Sequence, residues 1–168
     1  MRRASRRSLA ADVLLGAAGG LAASWAMERV QASLQRLGGA ETLRREREAA
    51  RANGEPATYR AAEALAGALG IPLDDRRKRL GGALVHYATG AGWGLLYGLA
   101  ERRLRLPSVL SGVAFGALVF ALGDELLVPL MGWAGGPRRY PASTHGKALA
   151  AHLVYGASTA GAWRALHL

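Results

Sequence analysis

The 168-residue sequence contains no cysteine. This absence excludes disulfide bonds, thiolate metal sites and cysteine nucleophiles. Glycine has no triplet period, which excludes a collagen-like chain, and abundant Leu, Val and Ala exclude a disordered one. Phosphate loops, nucleophile elbows, dinucleotide-binding fingerprints and zinc-protease motifs are absent as well. We therefore expect no enzymatic activity and no cofactor.

Charge is missing from two long stretches of an otherwise basic chain. Residues 81–100 and 108–123 contain no Asp, Glu, Lys or Arg, whereas more than half of all charged residues lie between Glu28 and Leu80. Such alternation of apolar and charged blocks is typical of multi-pass membrane proteins. A net charge of +10 would suggest nucleic-acid binding in a soluble protein, but most basic clusters here adjoin an apolar stretch. The expected partners are a lipid bilayer and anionic headgroups at the basic flanks, and no nucleic acid.

Four apolar stretches are long enough to cross a hydrocarbon core of ~30 Å as helices. Strands are a poor alternative, because apolar and polar residues do not alternate and Ala, Leu and Gly dominate. The predicted fold is all-α, a four-helix transmembrane bundle forming a single integral membrane domain over residues 1–168. The predicted spans cover residues 9–27, 81–100, 108–133 and 148–168, and a polar helical segment covers residues 28–80.

Glycines recur at four-residue spacing within three of these spans. The sets are Gly16 with Gly20, Gly90 with Gly94 and Gly98, and Gly112 with Gly116. This spacing puts each set on one helix face, where the missing side chains let helix backbones approach closely. The sequence therefore predicts a compact bundle, and it leaves open a homo-oligomer or a partner in a membrane complex.

The amino terminus has two interpretations. Residues 5–9 resemble a twin-arginine export signal, which would be cleaved near Ala26 and would remove the first span. Alternatively, the arginines that precede Ser8 anchor an uncleaved first helix. The distribution of Lys and Arg does not decide the orientation in the membrane. We call the side that holds residues 28–80 the A side and the opposite side the B side.

Five ionisable residues of the spans and their flanks are predicted to lie at similar depth. If successive helices cross in opposite directions, each lies within one or two helical turns of the A side. These residues are Glu28, His86, Asp124, Glu125 and His152. On a straight helix Asp124 is the better interior candidate, because Glu125 lies nearly opposite the glycine face; Pro129 could alter this geometry.

Three roles are open for this cluster. The side chains could hydrogen-bond between helices and stabilise the bundle. They could form a proton-linked or substrate-binding site, because histidines titrate near neutrality and burial raises the pKa of a carboxyl group. Alternatively, His86 and His152 could hold a metal ion or a haem, although no Glu-x-x-His or His-x-x-x-His spacing supports this role.

Other ionisable residues have simpler interpretations. On the B side, Asp12, Glu101 and Arg164 approach one depth, and we expect an ion pair that neutralises Arg164. His145 lies in a predicted loop before the fourth span. At that position a solvated histidine is favoured over a catalytic one.

Several of these features together resemble one family. The first span ending in Trp25-Ala26-Met27-Glu28, the His86 span with its glycines, the Asp124-Glu125 pair before Pro129 and the His152 span are similar to the YagU-like inner-membrane proteins of bacteria. The resemblance covers most of the chain, and the arginine-rich segment fits least. Where that family has His followed by Glu in the third span, this sequence has Asp124-Glu125. The resemblance implies a multi-pass inner-membrane protein of a family whose biochemical role is unsettled, linked to acid resistance. For this chain we expect a role in transport, in the response to stress or within a membrane complex.

Overall fold

The structure, a computed structural model, describes residues 8–104 and 108–166. These residues form helices, turns and loops and contain no strand, so the predicted all-α class is confirmed. Residues 5–7 of the twin-arginine motif and the last two residues of the predicted fourth span lie outside the described residues.

Seven α-helices follow one another in the described chain. They are α1 Leu9–Leu34, α2 Ala40–Asn53, α3 Ala57–Ala68, α4 Asp75–Leu104, α5 Ser108–Val119, α6 Val128–Leu130 and α7 Ala142–Ala165. A π-helical segment, Phe120–Leu127, joins α5 directly to α6. Local sequence explains two of these boundaries. The Ser8 hydroxyl caps α1 by accepting from the Ala11 amide, and Gly54, with φ of +84°, ends α2 in a conformation that favours glycine.

Two of the four predicted spans have both the length and the hydropathy of a membrane-crossing helix. They lie in Leu9–Leu34 and Leu110–Leu130, with mean hydropathies of 1.4 and 1.8 in their most apolar windows. Helices α4 and α7 have 30 and 24 residues, which is long enough to span. Glycine, histidine and charged residues lower their mean hydropathy. The helical architecture is therefore confirmed, whereas the number of membrane crossings stays a prediction.

Glycines join the long helices in two close pairs. Helix α1 packs on α4, and a Cβ atom at Gly16 would lie 2.6 Å from the carbonyl oxygen of Gly94. Helix α5 packs on α7 in the same way, since a Cβ atom at Gly112 would lie 2.7 Å from the carbonyl oxygen of Gly156. The close backbone approach predicted from the glycine spacing is thus confirmed.

The two pairs meet through different contacts. Helix α1 also packs along α7, but α4 meets α5 mainly through large aromatic side chains. The rings of Trp93 and Tyr97 contact that of Phe115, with centroid separations of 6.3 and 5.1 Å. Tyr97 also shares a hydrogen bond of 3.0 Å with the Ser111 hydroxyl. Aromatic rings therefore occupy the space between α4 and α5 that glycines close elsewhere.

The polar segment folds over the A side of the bundle. Helix α3 buries Ala61 and Ala62 and packs on α4, where Gly81 leaves room for the Ala62 methyl group. Helix α2 has no buried residue and is joined to α7 by an ion pair of 2.6 Å between Glu46 and Lys147. Together, α2 and α3 cap the end of the bundle where the ionisable cluster is expected.

Candidate functional site

The A side of the bundle contains a partly open cavity of about 710 Å³. This volume lies within the range of about 300–1,000 Å³ that is usual for small-molecule sites. Helices α1, α3, α4 and α7, the π segment and the loop that follows α6 all contribute to the lining. The lining includes all five residues of the predicted same-depth cluster, Glu28, His86, Asp124, Glu125 and His152.

The Asp124 carboxylate faces His152 across the cavity. His152 is only 5% exposed, and its Nδ1 atom donates to the Ala148 carbonyl at 2.9 Å. The other nitrogen, Nε2, therefore faces Asp124, at 3.8 Å from Oδ2. This distance is too long for a hydrogen bond. No described residue donates a hydrogen bond to Asp124, and 48% of the surface of its side chain is exposed. The Asp124 carboxylate can thus accept a hydrogen bond from a ligand in the cavity.

Glu125 binds His145, for which the sequence favoured a solvated position in a loop. The Nδ1 atom of His145 lies 2.5 Å from Oε1 of Glu125, and Nε2 donates to the Pro137 carbonyl at 2.9 Å. Burial acts against a charged ring, but the hydrogen bonds to Glu125 and Pro137 outweigh it. The pKa of His145 is therefore raised above its usual value. The pair consequently favours an imidazolium bound to a carboxylate.

Two predictions about this pair are wrong. His145 lies in the first turn of α7 rather than in a solvated loop. Glu125 lines the cavity and is less exposed than Asp124, at 25% against 48%. The expectation for Glu125 assumed a straight α-helix, whereas residues 120–127 form a π-helical segment with a wider turn. Pro129, which lacks an amide hydrogen, follows that segment and cannot bond the Glu125 carbonyl.

The remaining cluster residues connect α1 with α4. His86 donates from Nε2 to the Ser24 carbonyl at 3.4 Å, and its ring meets that of Tyr87 edge to face. The Tyr87 hydroxyl in turn donates to Glu28 at 2.7 Å. These are contacts between helices, and the choice among the three roles stays open for His86 and Glu28.

The geometry therefore divides the cluster into two groups. Glu28, His86 and Glu125 are held by partners on other elements, whereas Asp124 is presented to the cavity beside His152. In the part of the chain that the structure describes, no group of three or more His, Asp or Glu side chains is arranged to hold a metal ion. One ring nitrogen each of His86 and His152 is already bound to a backbone carbonyl.

The three B-side residues also share one end of the bundle. Asp12 is buried, at 6% exposure, and a Cβ atom at Gly98 would lie 3.0 Å from its carbonyl oxygen. Glu101 lies within hydrogen-bonding reach of the Tyr97 hydroxyl, and Arg164 is close enough to influence that hydroxyl electrostatically. The ion pair proposed for Arg164 stays a prediction.

Comparisons with protein-family models, with curated proteins and with solved structures find no match to this chain. The resemblance to YagU-like proteins therefore stays a prediction. Inference about function depends on the cavity and on how residue types are distributed around the bundle.

Proposed function

We propose that this protein is a four-span integral protein of the bacterial inner membrane, similar to YagU-like proteins, that exchanges protons in its A-side cavity without catalysing a reaction. The protein acts in transport or in the response to acid, either by itself or as part of a membrane complex. The observation that carries the proposal is the convergence of three histidines and three carboxylates, from α1, α4, the π segment and α7, on one cavity.

The distribution of leucine supports a membrane location. No leucine of the described residues is buried, and apart from Met27 and Val119 the buried positions of the bundle hold small, polar or aromatic residues. Exposed leucines occur on α1, α4 and α5, and include Leu14, Leu21, Leu84, Leu96, Leu110 and Leu118. In water each exposed Å² of such surface forgoes about 25 cal/mol of burial energy. A lipid environment removes this cost. The exposed leucines therefore also support a membrane-spanning position for α4, which its mean hydropathy alone does not indicate.

Pairs of histidine and carboxylate support proton exchange. His145 with Glu125, and His152 with Asp124, each place an imidazole beside a carboxyl group, the two kinds of side chain that most often accept and release protons in proteins. Acidification therefore adds protons to the cavity and makes its charge more positive. This chemistry suits a protein that responds to acid or couples proton movement to a solute.

Single cysteines test the membrane assignment, because the natural chain has no thiol background. We expect Thr89→Cys, in the cavity lining, to react with a water-soluble maleimide in intact membranes. Leu96→Cys, on the same helix and exposed in the structure, should react only after denaturation in SDS, since it would face lipid. Ala50→Cys on the exposed face of α2 provides the rate for a solvated thiol. Equal labelling at Leu96 and Ala50 would rule out the four-span arrangement.

The double variant His86→Gln, His152→Gln tests the role of the cavity. We expect it to accumulate in the membrane like the natural protein and to lose most of the change in tryptophan fluorescence between pH 8 and pH 5. Trp93 and Trp133 line the cavity and report on neighbouring charged histidines. Failure to accumulate would assign the two histidines to stabilisation alone. An unchanged pH response would show that His86 and His152 do not exchange protons between pH 8 and pH 5.

A further inference from the structure

We infer that the A-side cavity binds an organic cation, an amine or quaternary ammonium compound with apolar substituents, and that this cation competes with protons for Asp124. The inference rests on the proposed function, because it assigns a ligand class to the same cavity.

Carboxylates outnumber fixed cations in the cavity lining. The charged and histidine side chains of the lining come from α1, α4, the π segment and α7. They are Glu28, Arg79, His86, Asp124, Glu125, His145 and His152. Helix α3 and the loop after α6 contribute tyrosine, tryptophan and apolar residues to the lining but no charged group. If His145 is charged and balances Glu125, Glu28 and Asp124 still face the single guanidinium of Arg79. The described lining is therefore net negative when His86 and His152 are neutral.

Asp124 is the group that a cation would meet. Glu125 is bound by His145, and Glu28 accepts from Tyr87 and lies 3.6 Å from Arg29. Asp124 has no hydrogen-bond donor among the described residues, although it lies between helices at the depth of His152. A carboxylate in such a position is stabilised by a positive ligand or by a proton.

The aromatic walls favour an organic rather than an inorganic cation. Six tyrosine and tryptophan side chains line the cavity, Tyr59, Tyr87, Trp93, Trp133, Tyr140 and Tyr155. Aromatic faces attract ammonium groups by about 0.5–2 kcal/mol each, and they also accommodate apolar substituents. A hard metal ion would need several oxygen ligands at once, and the described residues offer no such group. The volume of about 710 Å³ is also far larger than a bare ion requires.

Competition with protons follows from the position of His152. A proton on Asp124 removes the negative charge that attracts the cation. A proton on His152, whose Nε2 atom is 3.8 Å away, adds a positive charge that repels it. Both effects weaken cation binding as the pH falls, and bound cation conversely displaces protons.

Two probes of the same shape and opposite charge test the inference. Isothermal titration calorimetry would be performed on the full chain in detergent with tetraphenylphosphonium and, separately, with tetraphenylborate. We expect saturable binding of the phosphonium alone, at least tenfold tighter at pH 8 than at pH 5, with release of protons on binding at pH values between these two. Saturable binding of the borate with equal affinity, or no saturable binding of either probe at pH 8, would overturn the inference.

Matched variants locate the binding to Asp124. We expect Asp124→Asn to weaken phosphonium binding at least tenfold at pH 8 and to reduce its pH dependence to the part that repulsion by charged His152 contributes. Asp124→Glu should restore binding, and Glu48→Gln on α2, outside the lining, should leave it unchanged. Unchanged affinity in Asp124→Asn would contradict the inference. If Asp124→Asn does not fold, as judged by circular dichroism, the charge preference and pH dependence of the natural protein decide the question.

The outcome separates this inference from the proposed function. Binding in detergent depends neither on membrane topology nor on the fluorescence response. If the phosphonium does not bind but Leu96→Cys is still protected from the maleimide, the cation inference is refuted and the membrane assignment is not. Free labelling at Leu96 refutes the membrane assignment, whatever the calorimetry gives.

Discussion

The two sides of the bundle use the same four long helices in different ways. On the B side, Tyr97 and Trp163 are almost fully buried, and the Trp163 ring lies directly on Gly98. On the A side the helices enclose a cavity that α3 covers. Each side contains an aspartate within a predicted span, yet Asp12 is buried whereas Asp124 is exposed. Depth and residue type are therefore insufficient to identify a site, and the packing around the carboxylate distinguishes the two.

Gly94→Val should have the largest effect, because it separates α1 from α4 and would open the closely packed part of the bundle. A Cβ atom there would contact the Gly16 carbonyl oxygen and lie 2.6 Å from the Gly20 Cα atom. We expect a loss on the order of 3 kcal/mol in the free energy of unfolding, measured in detergent. Gly92→Val is the matched control, since its Cβ atom would meet nothing within 4 Å. Similar losses in both variants would show that helix propensity, not contact between helices, is responsible.

His145→Gln tests a stabilising contact of the A side. Loss of the His145–Glu125 pair should cost about 1–2 kcal/mol in the free energy of unfolding. Because the pKa of His145 is raised in the folded protein, its contribution is fully present below its usual value of 6.5 and is lost as the pH rises through the folded value. The difference in unfolding free energy between the natural protein and the variant should therefore be largest in mild acid. A difference that grows above pH 8 would contradict the assigned pair.

Glu46→Gln tests whether α2 is held against the A side. Burial opposes ionisation of Glu46, but the hydrogen bonds from Lys147 and Ser143 outweigh it, so the pKa of this carboxyl lies below its usual value. The stabilisation is thus present above the usual value near 4.5 and is lost as the pH falls through the lowered one. We expect a cost of about 1 kcal/mol and faster proteolysis between α1 and α3. Glu48→Gln, whose partner Arg44 is solvated, should cause a smaller change.

Asp124→Asn should have the smallest effect on stability, although it has the largest expected effect on ligand binding. The carboxylate has no hydrogen bond to lose among the described residues, so the free energy of unfolding should change by less than about 0.5 kcal/mol. Asp12→Asn, at the buried aspartate of the B side, provides the comparison and should cost about 1–2 kcal/mol. Similar losses of unfolding free energy in Asp124→Asn and Asp12→Asn would show that the two carboxylates do not differ in how the bundle holds them.

Much of the fold was predictable because it depends on local composition. Apolar runs and glycine spacing predicted the helices and the faces on which Gly16, Gly94 and Gly112 make their close contacts. The count of residues from each helix end also put Glu28, His86, Asp124, Glu125 and His152 at one depth. This count needs only the helical rise and an alternating direction of crossing.

The partners within the site were not predictable in the same way. Glu125 faces His145 because the π segment alters the angular step before Pro129, and nothing in the residues before it announces that change. The only available signal was Pro129 itself, four residues after Glu125. The position of α3 over the cavity likewise depends on contact between Ala62 and Gly81, which belong to separate helices.

By itself, the sequence determined the helical class, the absence of thiol chemistry, the glycine contact faces and the end of the bundle at which the five cluster residues lie. These properties follow from chain composition and from the rise of 1.5 Å per residue. Only the tertiary structure decided which carboxylates receive a partner, since that depends on helix rotation and on segments far apart in the chain. Asp124 and Glu125 are adjacent in sequence, yet one is bound by a histidine and the other is presented to the cavity.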